Sequence, residues 1–162
     1  MPTGAELARL RVLAGLPTDH LDRLAALAAT VRYPAGHRLF REGQPADRCW
    51  LLTTGRVALD ALVPPEGLVV LHILGPGDLV GWSWLMSPYR WHFGARTLTT
   101  VTGYVLDAGR LRDLADAEPE FGYPLALRFC GVLIDRLQIT RARLLDGYRG
   151  PCSSHDRTRP GG

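Results

Sequence analysis

The 162-residue sequence predicts a mainly β domain, an antiparallel barrel or jelly roll, with a helix before it and a long helix after it. Turn signals recur about every eight to twelve residues through the middle of the chain, as in all-β domains of this kind. An amphipathic helical pattern precedes these strands, and a much longer one follows them. We place the domain at residues 10–147, after an N-terminal extension at 1–9.

The first helical pattern lies in "TDHLDRLAALAATVRY". It follows Pro17, and either Thr18 or Asp19 is expected to cap its start. Its apolar residues fall on one helical stripe, formed by Leu21, Leu24, Leu27, Ala28 and Val31.

Glycines and prolines break the helical period from Pro34 onward, and strands are predicted around Arg38–Phe40 and Trp50–Thr53. "RCWLLTTGRVALDALV" contains two apolar runs that meet at Gly55, which indicates a hairpin. "PPEG" at 64–67 is a turn, and "LVVLHILGPGD" is a further strand that ends in a turn. "ARTLTTVTGYVLD" supplies the last strands, because it is rich in threonine and valine.

Two helices are predicted after the last strand. Asp107 is expected to cap a short one, and the long one begins near Pro119 and ends near Gly147. A heptad-like seam runs along the long helix and predicts a homodimer; its members are Ala126, Cys130, Leu133, Leu137, Thr140 and Leu144. The alternative is a helix packed on its own barrel, with a stripe widened by Phe129, Ile134 and Leu145. Residues 148–162 are poor in apolar side chains, and a disordered tail is expected there.

The composition is that of a folded chain, with 46% hydrophobic and 22% charged residues. All 19 cationic residues are arginines, and they are spread along the chain rather than gathered into a basic block, so nucleic-acid binding gains little support. The three cysteines are far apart and form no CxxC pair, which favours reduced thiols. The chain shows neither an export signal nor an apolar run of about 18 residues, so we expect a cytoplasmic protein without membrane contact.

Two glycine-punctuated phrases carry a resemblance to a known family. They are "YPAGHRLFREGQPADRCWLLTTGRVAL" and "LHILGPGDLVGWSWL". With a helix before and a long helix after, they resemble the cyclic-nucleotide-binding domain of cAMP-receptor-protein and FNR-type bacterial regulators. The resemblance covers about residues 10–147 and implies a double-stranded antiparallel β-roll.

In ligand-binding members of that family, the turn after the "PGD" strand carries a Gly-Glu pair and an Arg-Ser-Ala triplet. The resemblance implies that the glutamate holds the ribose hydroxyl and the arginine holds the cyclic phosphate. Here Gly81 matches the glycine, but Trp82 stands at the glutamate position, and Trp91, His92 and Phe93 stand at the triplet. No carboxylate residue lies between Asp78 and Asp107, so ordinary cAMP binding is not expected.

Three hypotheses address residues 81–93, which contain three of the four tryptophans. In the first, the aromatic side chains fill the family's pocket. In the second, an altered pocket binds a non-standard nucleotide-like or anionic aromatic ligand. The residues proposed to line this pocket are Gly81, Trp82, Ser83, Trp84, Arg90, Trp91, His92 and Arg96. In the third, Met86 and His92 ligate a metal or haem, although no second ligand lies at suitable spacing.

These observations predict a stand-alone regulatory module that senses a small effector and signals to an unknown protein partner, with a ligand-free structural adaptor as the alternative. The fourteen residues Arg149–Gly162 are too few for a helix-turn-helix, so sequence-specific DNA binding by this chain is not expected. No catalytic cluster is visible, and we expect neither an enzyme nor a resident cofactor or metal. Arg136, Arg141 and Arg143 are interpreted as a solvated face, and His37 and His72 as structural histidines.

Overall fold

A computed structural model describes residues 1–149 and contains two four-stranded antiparallel sheets. The first sheet has the order β1 (Ala28–Tyr33), β8 (Val101–Asp107), β3 (Arg48–Thr54), β6 (Leu79–Val80). The second has the order β2 (Arg38–Phe40), β7 (Gly94–Thr97), β4 (Val57–Val63), β5 (Gly67–Leu74). The predicted β-roll is confirmed.

Four α-helices flank the sheets: α1 (Gly4–Ala8), α2 (Thr18–Leu27), α3 (Ala108–Ala117) and α4 (Pro119–Tyr148). Asp107 caps α3 as predicted, because its Oδ1 accepts a hydrogen bond from the backbone N–H of Arg110 at 2.9 Å. The limits of α4 agree with the predicted ones to within one residue. No helix among residues 1–149 is both long enough and apolar enough to cross a membrane.

The first helix is shorter than predicted, and the prediction of its N-cap residue was wrong. The helix α2 ends at Leu27, and both Ala28 and Val31 belong to β1, where Val31 pairs with Gly103 of β8. Threonine, valine and tyrosine in "TVRY" suit a strand, and β8 supplies the hydrogen-bonding partner. The N-cap of α2 is Pro17, without any side-chain cap, so neither Thr18 nor Asp19 has that role.

The turn at Gly55 connects one sheet to the other and is not the turn of a hairpin, which the sequence had indicated. Strands β3 and β4 lie in different sheets, whereas β4 and β5 form the hairpin around the predicted 64–67 turn. Gly55 has φ 83°, and a Cβ there would lie 2.3 Å from the carbonyl oxygen of Thr100 in the other crossing between sheets. Only glycine tolerates both conditions.

The core lies between the two sheets and extends beneath the helices. The residues before position 10 contribute to it, because Leu7 of α1 is fully buried in the same cluster. A capping box between Thr3 and Glu6 fixes the start of α1. The domain limits 10–147 remain a prediction. Of the predicted tail, Tyr148 is the last residue of α4, and residues 150–162 lie outside the described part of the chain.

Candidate functional site

Residues 81–93 connect β6 of the first sheet to β7 of the second. Gly81 opens the segment with φ 88°, and a Cβ there would lie 2.7 Å from Cη2 of Trp91. A side chain at this position would therefore be strained by the backbone and would collide with the indole. A short 3₁₀ turn, Ser83–Leu85, follows. The segment is thus folded tightly onto its own aromatic residues.

Trp91 lies inside the roll and is only 3% exposed. Its ring stacks on Phe40 of β2, with the ring centroids 3.8 Å apart and the planes inclined by 15°. Trp50 of β3 lies 5.5 Å from Phe40 and 6.2 Å from Trp91, and its Nε1 donates to the hydroxyl of Tyr33 at 3.2 Å. Because each such side chain buries about 150–250 Å², the three rings fill the interior between β2, β3 and the segment.

Trp84 contacts both α3 and α4 and so connects the segment to these helices. It is 2% exposed, and its ring meets Phe129 of α4 edge-on, with centroids 5.7 Å apart. Its Nε1 donates to the carbonyl of Gly81 at 3.1 Å, and its own carbonyl accepts from Nη1 of Arg112 in α3 at 2.9 Å. Both polar groups are therefore satisfied within the protein.

A second aromatic group lies nearer the surface. Trp82 is half-buried; its ring stacks on His92 at 5.3 Å and meets Phe93 edge-on at 5.6 Å. The hydroxyl of Ser83, which is buried, lies 2.9 Å from Nδ1 of His92 and accepts from its backbone N–H at 3.2 Å. These bonds fix the imidazole at the edge of the segment.

The two arginines of the predicted pocket are exposed, whereas two of its three tryptophans are buried. Arg90 is exposed and donates from Nη1 to the carbonyl of Gly43 at 2.8 Å. Arg96 is exposed on β7, in register with Arg38 and Ala58. The eight residues therefore divide between the interior and the surface: Gly81, Ser83, Trp84 and Trp91 are buried, Trp82 is half-buried, and Arg90, His92 and Arg96 are exposed. Ligand binding by this set stays a prediction.

The carboxylate next to the end of the segment belongs to an ion pair that sequence reasoning missed. Both carboxylate oxygens of Asp60 in β4 lie 2.8 Å from Nη1 of Arg38, and the Asp60 side chain is 4% exposed. A Cβ at Gly94 would lie 2.3 Å from Oδ1 of Asp60. Because Arg38 already neutralises this carboxylate, it does not replace the missing glutamate.

The described residues give little support to a reactive thiol or a metal site. Burial raises the pKa of the Cys49 thiol to about 12, which makes it a weak nucleophile. Met86 is 75% exposed and His92 bonds to Ser83. Among residues 1–149, no three His, Cys, Asp or Glu side chains come together as a metal site.

A large open space lies elsewhere, between α4 and the strands β5 and β6. We call it the α4 cleft; it encloses about 720 Å³. Its apolar lining includes Leu79 on the roll and Leu127, Val132 and Ile139 on α4. Its charged lining consists of Arg11, Asp78, Arg128, Asp135, Arg136 and Arg143, with His72 beside them.

Arg136 is the most buried cation of the α4 cleft, so the predicted solvated arginine face was wrong for this residue. Its Nη2 donates to the carbonyl of Leu79, and its Nη1 is buried without a hydrogen-bond partner among residues 1–149. Burial lowers the pKa of the guanidinium, while the charge of Asp78 raises it. Arg141, in contrast, is exposed.

Two hydrogen bonds join the outer part of α4 to β5. Nε2 of His72 lies 3.1 Å from the hydroxyl of Thr140, and Nη1 of Arg143 donates to the carbonyl of Leu71 at 2.5 Å. Burial, and then the charges of Arg143 and Arg136, lower the pKa of His72. The sequence contained a signal for this face, because Phe129, Val132, Arg136, Ile139 and Arg143 are spaced 3, 4, 3 and 4.

The predicted dimer seam occupies another face of α4, which is mostly exposed. Leu137 is 65% and Leu144 is 62% exposed, Ala126 and Cys130 are also exposed, and Leu133 is half-buried. Of the residues that would have widened a packed stripe, Phe129 is buried, whereas Ile134 and Leu145 are exposed. The helix therefore packs on the roll through one narrow face, and apart from the half-buried Leu133 and the bond of Thr140 to His72 the seam stays exposed within the described chain.

Comparisons with known proteins agree with the fold. The family described as Cyclic nucleotide-binding domain matches residues 30–118. A CRP-like cAMP-activated global transcriptional regulator of Mycobacterium tuberculosis (strain ATCC 25618 / H37Rv) is 31% identical over 140 residues, which are 86% of this chain and 61% of that protein. The chain thus spans less than two thirds of the length of this relative.

Two solved structures have the same architecture. The N-terminal domain of a transcriptional regulator from Streptomyces coelicolor A3(2) is 30% identical, with a TM-score of 0.62, over 83% of this chain and 93% of that one. A cyclic nucleotide-binding domain from Methylobacillus flagellatus KT, at 19% identity, shares the fold with a TM-score of 0.76, over 87% of this chain and 79% of that one.

Proposed function

We propose that this chain, which belongs to the cyclic nucleotide-binding domain family, is a regulatory module that signals through protein contacts of α4. In this proposal, residues 81–93 do not hold a cyclic nucleotide in the family's usual manner. The relatives named above include a transcriptional regulator, which supports a role in regulation.

The observation that carries the proposal is the position of Trp91. Its indole stacks at 3.8 Å on Phe40 inside the roll, directly against Gly81, where the family resemblance places the nucleotide-binding turn. Trp82 replaces the acid that would accept from the ribose, and the Asp60 carboxylate is paired with Arg38. A nucleotide at this position would have to displace a buried indole and would still lack the carboxylate that the family resemblance assigns to its ribose.

The exposed seam of α4 supports a homodimer as the signalling form. Exposed leucines at heptad spacing are typical of a helix that packs against a second copy of itself. Leu137 and Leu144 are one heptad apart and more than 60% exposed. Thr140 between them bonds to His72 of β5, so a shift of the roll against α4 would reach the seam.

The seam can be tested on the full chain by sedimentation equilibrium. We expect a dimer for the natural chain and a monomer for Leu137→Glu with Leu144→Glu, because two buried charges would face each other across the axis. The matched control is Leu145→Glu, which places the same charge on an exposed apolar position on the outer side of α4, away from the seam, and it should remain dimeric. A monomeric natural chain, or equal loss in the control, would overturn the dimer.

Cyclic-nucleotide binding is tested separately by calorimetric titration with cAMP. We expect no saturable heat, because the acid for the ribose is missing and the interior is filled. Tight binding that persists in Arg90→Ala with Arg96→Ala would overturn this part of the proposal. The structural adaptor, which is the alternative, is distinguished by tryptophan fluorescence during a metabolite screen: an adaptor gives no response to any compound.

A further inference from the structure

A second open space lies where α3 and the first half of α4 meet the segment 81–93. We call it the α3 groove; it encloses about 480 Å³ and, among residues 1–149, has no lining residue in common with the α4 cleft. Tyr89 is 41% and Tyr123 is 69% exposed, so both rings line the groove and also reach solvent. The volume lies within the range of sites that receive apolar groups. The walls are mostly apolar or aromatic and include Trp84, Leu85, Tyr89, Leu111, Tyr123 and Phe129.

Tyr89 is held at the α3 groove in a strained backbone conformation. Its φ of 55° lies in the left-handed region, which is rare for a bulky residue. Its backbone N–H donates to the carbonyl of Met86 at 3.0 Å, and its own carbonyl accepts from the backbone N–H of Ala46 at 2.7 Å. The guanidinium of Arg112 lies 4.3 Å from the centre of its ring. Strain of this kind is concentrated at functional sites, where the surrounding structure holds a side chain in a fixed place.

The cation in the walls of the α3 groove is already engaged. Arg112 is the single cation among the described residues that line the groove. Its Nη1 donates to the carbonyl of Trp84 at 2.9 Å, while the guanidinium covers the ring of Tyr89. The indole N–H of Trp84 also has an acceptor, the carbonyl of Gly81. The groove therefore suits an apolar side chain better than an anion.

The helices that form the α3 groove carry acids without partners. Residues 108–120 include four acids and two arginines, although the net charge of the whole chain is +3. Three of these acids, Asp113, Asp116 and Glu120, are exposed and make no ion pair among residues 1–149. Asp116 itself lines the groove. Negative charge beside an apolar surface attracts and orients a partner of positive charge.

We propose that the α3 groove docks a cationic amphipathic segment of a partner protein. An apolar side chain of that segment contacts Tyr89 and Tyr123, and its lysines or arginines face Asp116 and Glu120. This inference deepens the proposed function and rests on it, because it gives the chemistry of the protein that receives the signal. Docking itself needs no homodimer.

The test is a titration of labelled peptides with the full chain, followed by fluorescence anisotropy. The probe is an amphipathic helical peptide of leucine and lysine. One control peptide has the same apolar face but glutamate in place of lysine, and the other has the composition of the probe in an order that breaks the helical stripe. We expect saturable binding of the probe, about tenfold tighter or more than that of either control. Equal binding of the two lysine peptides would show attraction by charge alone and would overturn the proposal.

Two pairs of variants locate the binding site. Asp116→Arg should weaken binding of the probe about tenfold, because attraction becomes repulsion, and Tyr123→Ser should do the same by removing an aromatic contact. Both positions are exposed, so both variants should fold. Asp146→Arg and Tyr148→Ser make the same changes at exposed positions near the end of α4, outside the groove, and should leave the affinity within about twofold. Equal losses in the groove variants and their controls would contradict docking at this site.

A further variant separates this inference from the homodimer. Leu137→Ser with Leu144→Ser removes the apolar part of the seam without adding charge, and neither leucine lines the α3 groove. The probe should bind this variant as it binds the natural chain, whether or not the natural chain is dimeric. A loss of binding here would place the peptide on the seam and would refute docking in the groove.

Discussion

The segment 81–93 and the α4 cleft both touch α4, but they are built in opposite ways. In the segment, Trp84 packs against Phe129 and every polar atom described above has a partner within the protein. In the cleft, about 720 Å³ remain open, and the buried Nη1 of Arg136 has no partner within residues 1–149. One region is closed by aromatic packing, and the other combines space with uncompensated charge.

This difference shows that the position of a family motif and the position of open volume do not coincide in this fold. The family resemblance directs attention to Gly81 and its neighbours, but there the interior volume is occupied by Trp91. Open volume lies instead along the inner face of α4, where Nη1 of Arg136 is buried without an acceptor among residues 1–149. The three predictions that follow test this contrast, beginning with the largest effect.

Trp91→Ala should lower the free energy of unfolding by about 4 kcal/mol, because it removes a buried indole and leaves a cavity between Phe40 and Trp50. Urea denaturation measures the change. Trp82→Ala is the matched control and should cost about 1 kcal/mol or less, since Trp82 is only half-buried. Similar losses in the two variants would show that the interior is not closed by Trp91.

Arg38→Met and Arg136→Met compare a satisfied arginine with an unsatisfied one. The first should cost about 3 kcal/mol, because it leaves the buried carboxylate of Asp60 without its partner. The second should change stability by about 1 kcal/mol or less, because the loss of the bond from Nη2 to the Leu79 carbonyl is offset by removal of the buried Nη1, which has no acceptor among residues 1–149. The denaturant midpoints of the two variants measure these changes. An equally large loss of stability in the Arg136 variant would contradict the difference between the two arginines.

The smallest effect is a pH dependence from His72. Its pKa lies below the ordinary value of about 6.5, because burial and then Arg143 and Arg136 disfavour the imidazolium. Between the folded and the unfolded pKa the unfolded chain binds more protons, so stability falls as the pH drops through that window.

NMR titration of the imidazole signals measures this pKa. Arg143→Gln should raise it only in part, since burial remains the larger cause, and Arg141→Gln should leave it unchanged. A His72 pKa above 6.5 in the natural chain would mean that the α4 cleft is not positive.

The sequence by itself determined the elements whose signals are local. The "PPEG" turn, the Asp107 cap and the limits of α4 depend on residues close to one another in the chain, and they were predicted with little error. Local patterns failed where a distant partner decided the outcome. "AATVRY" continued a helical stripe, but the free edge of β8 made it a strand.

Tertiary structure alone decided which side chains share a space. Phe40, Trp50 and Trp91 come from three separate parts of the chain, and the stack that closes the roll exists only when two sheets are brought face to face. The role of Arg136 was hidden for the same reason. An arginine is usually exposed to solvent, but the position of α4 on β5 and β6 buries Arg136 next to Leu79. Burial depends on packing across the fold rather than on neighbours in sequence.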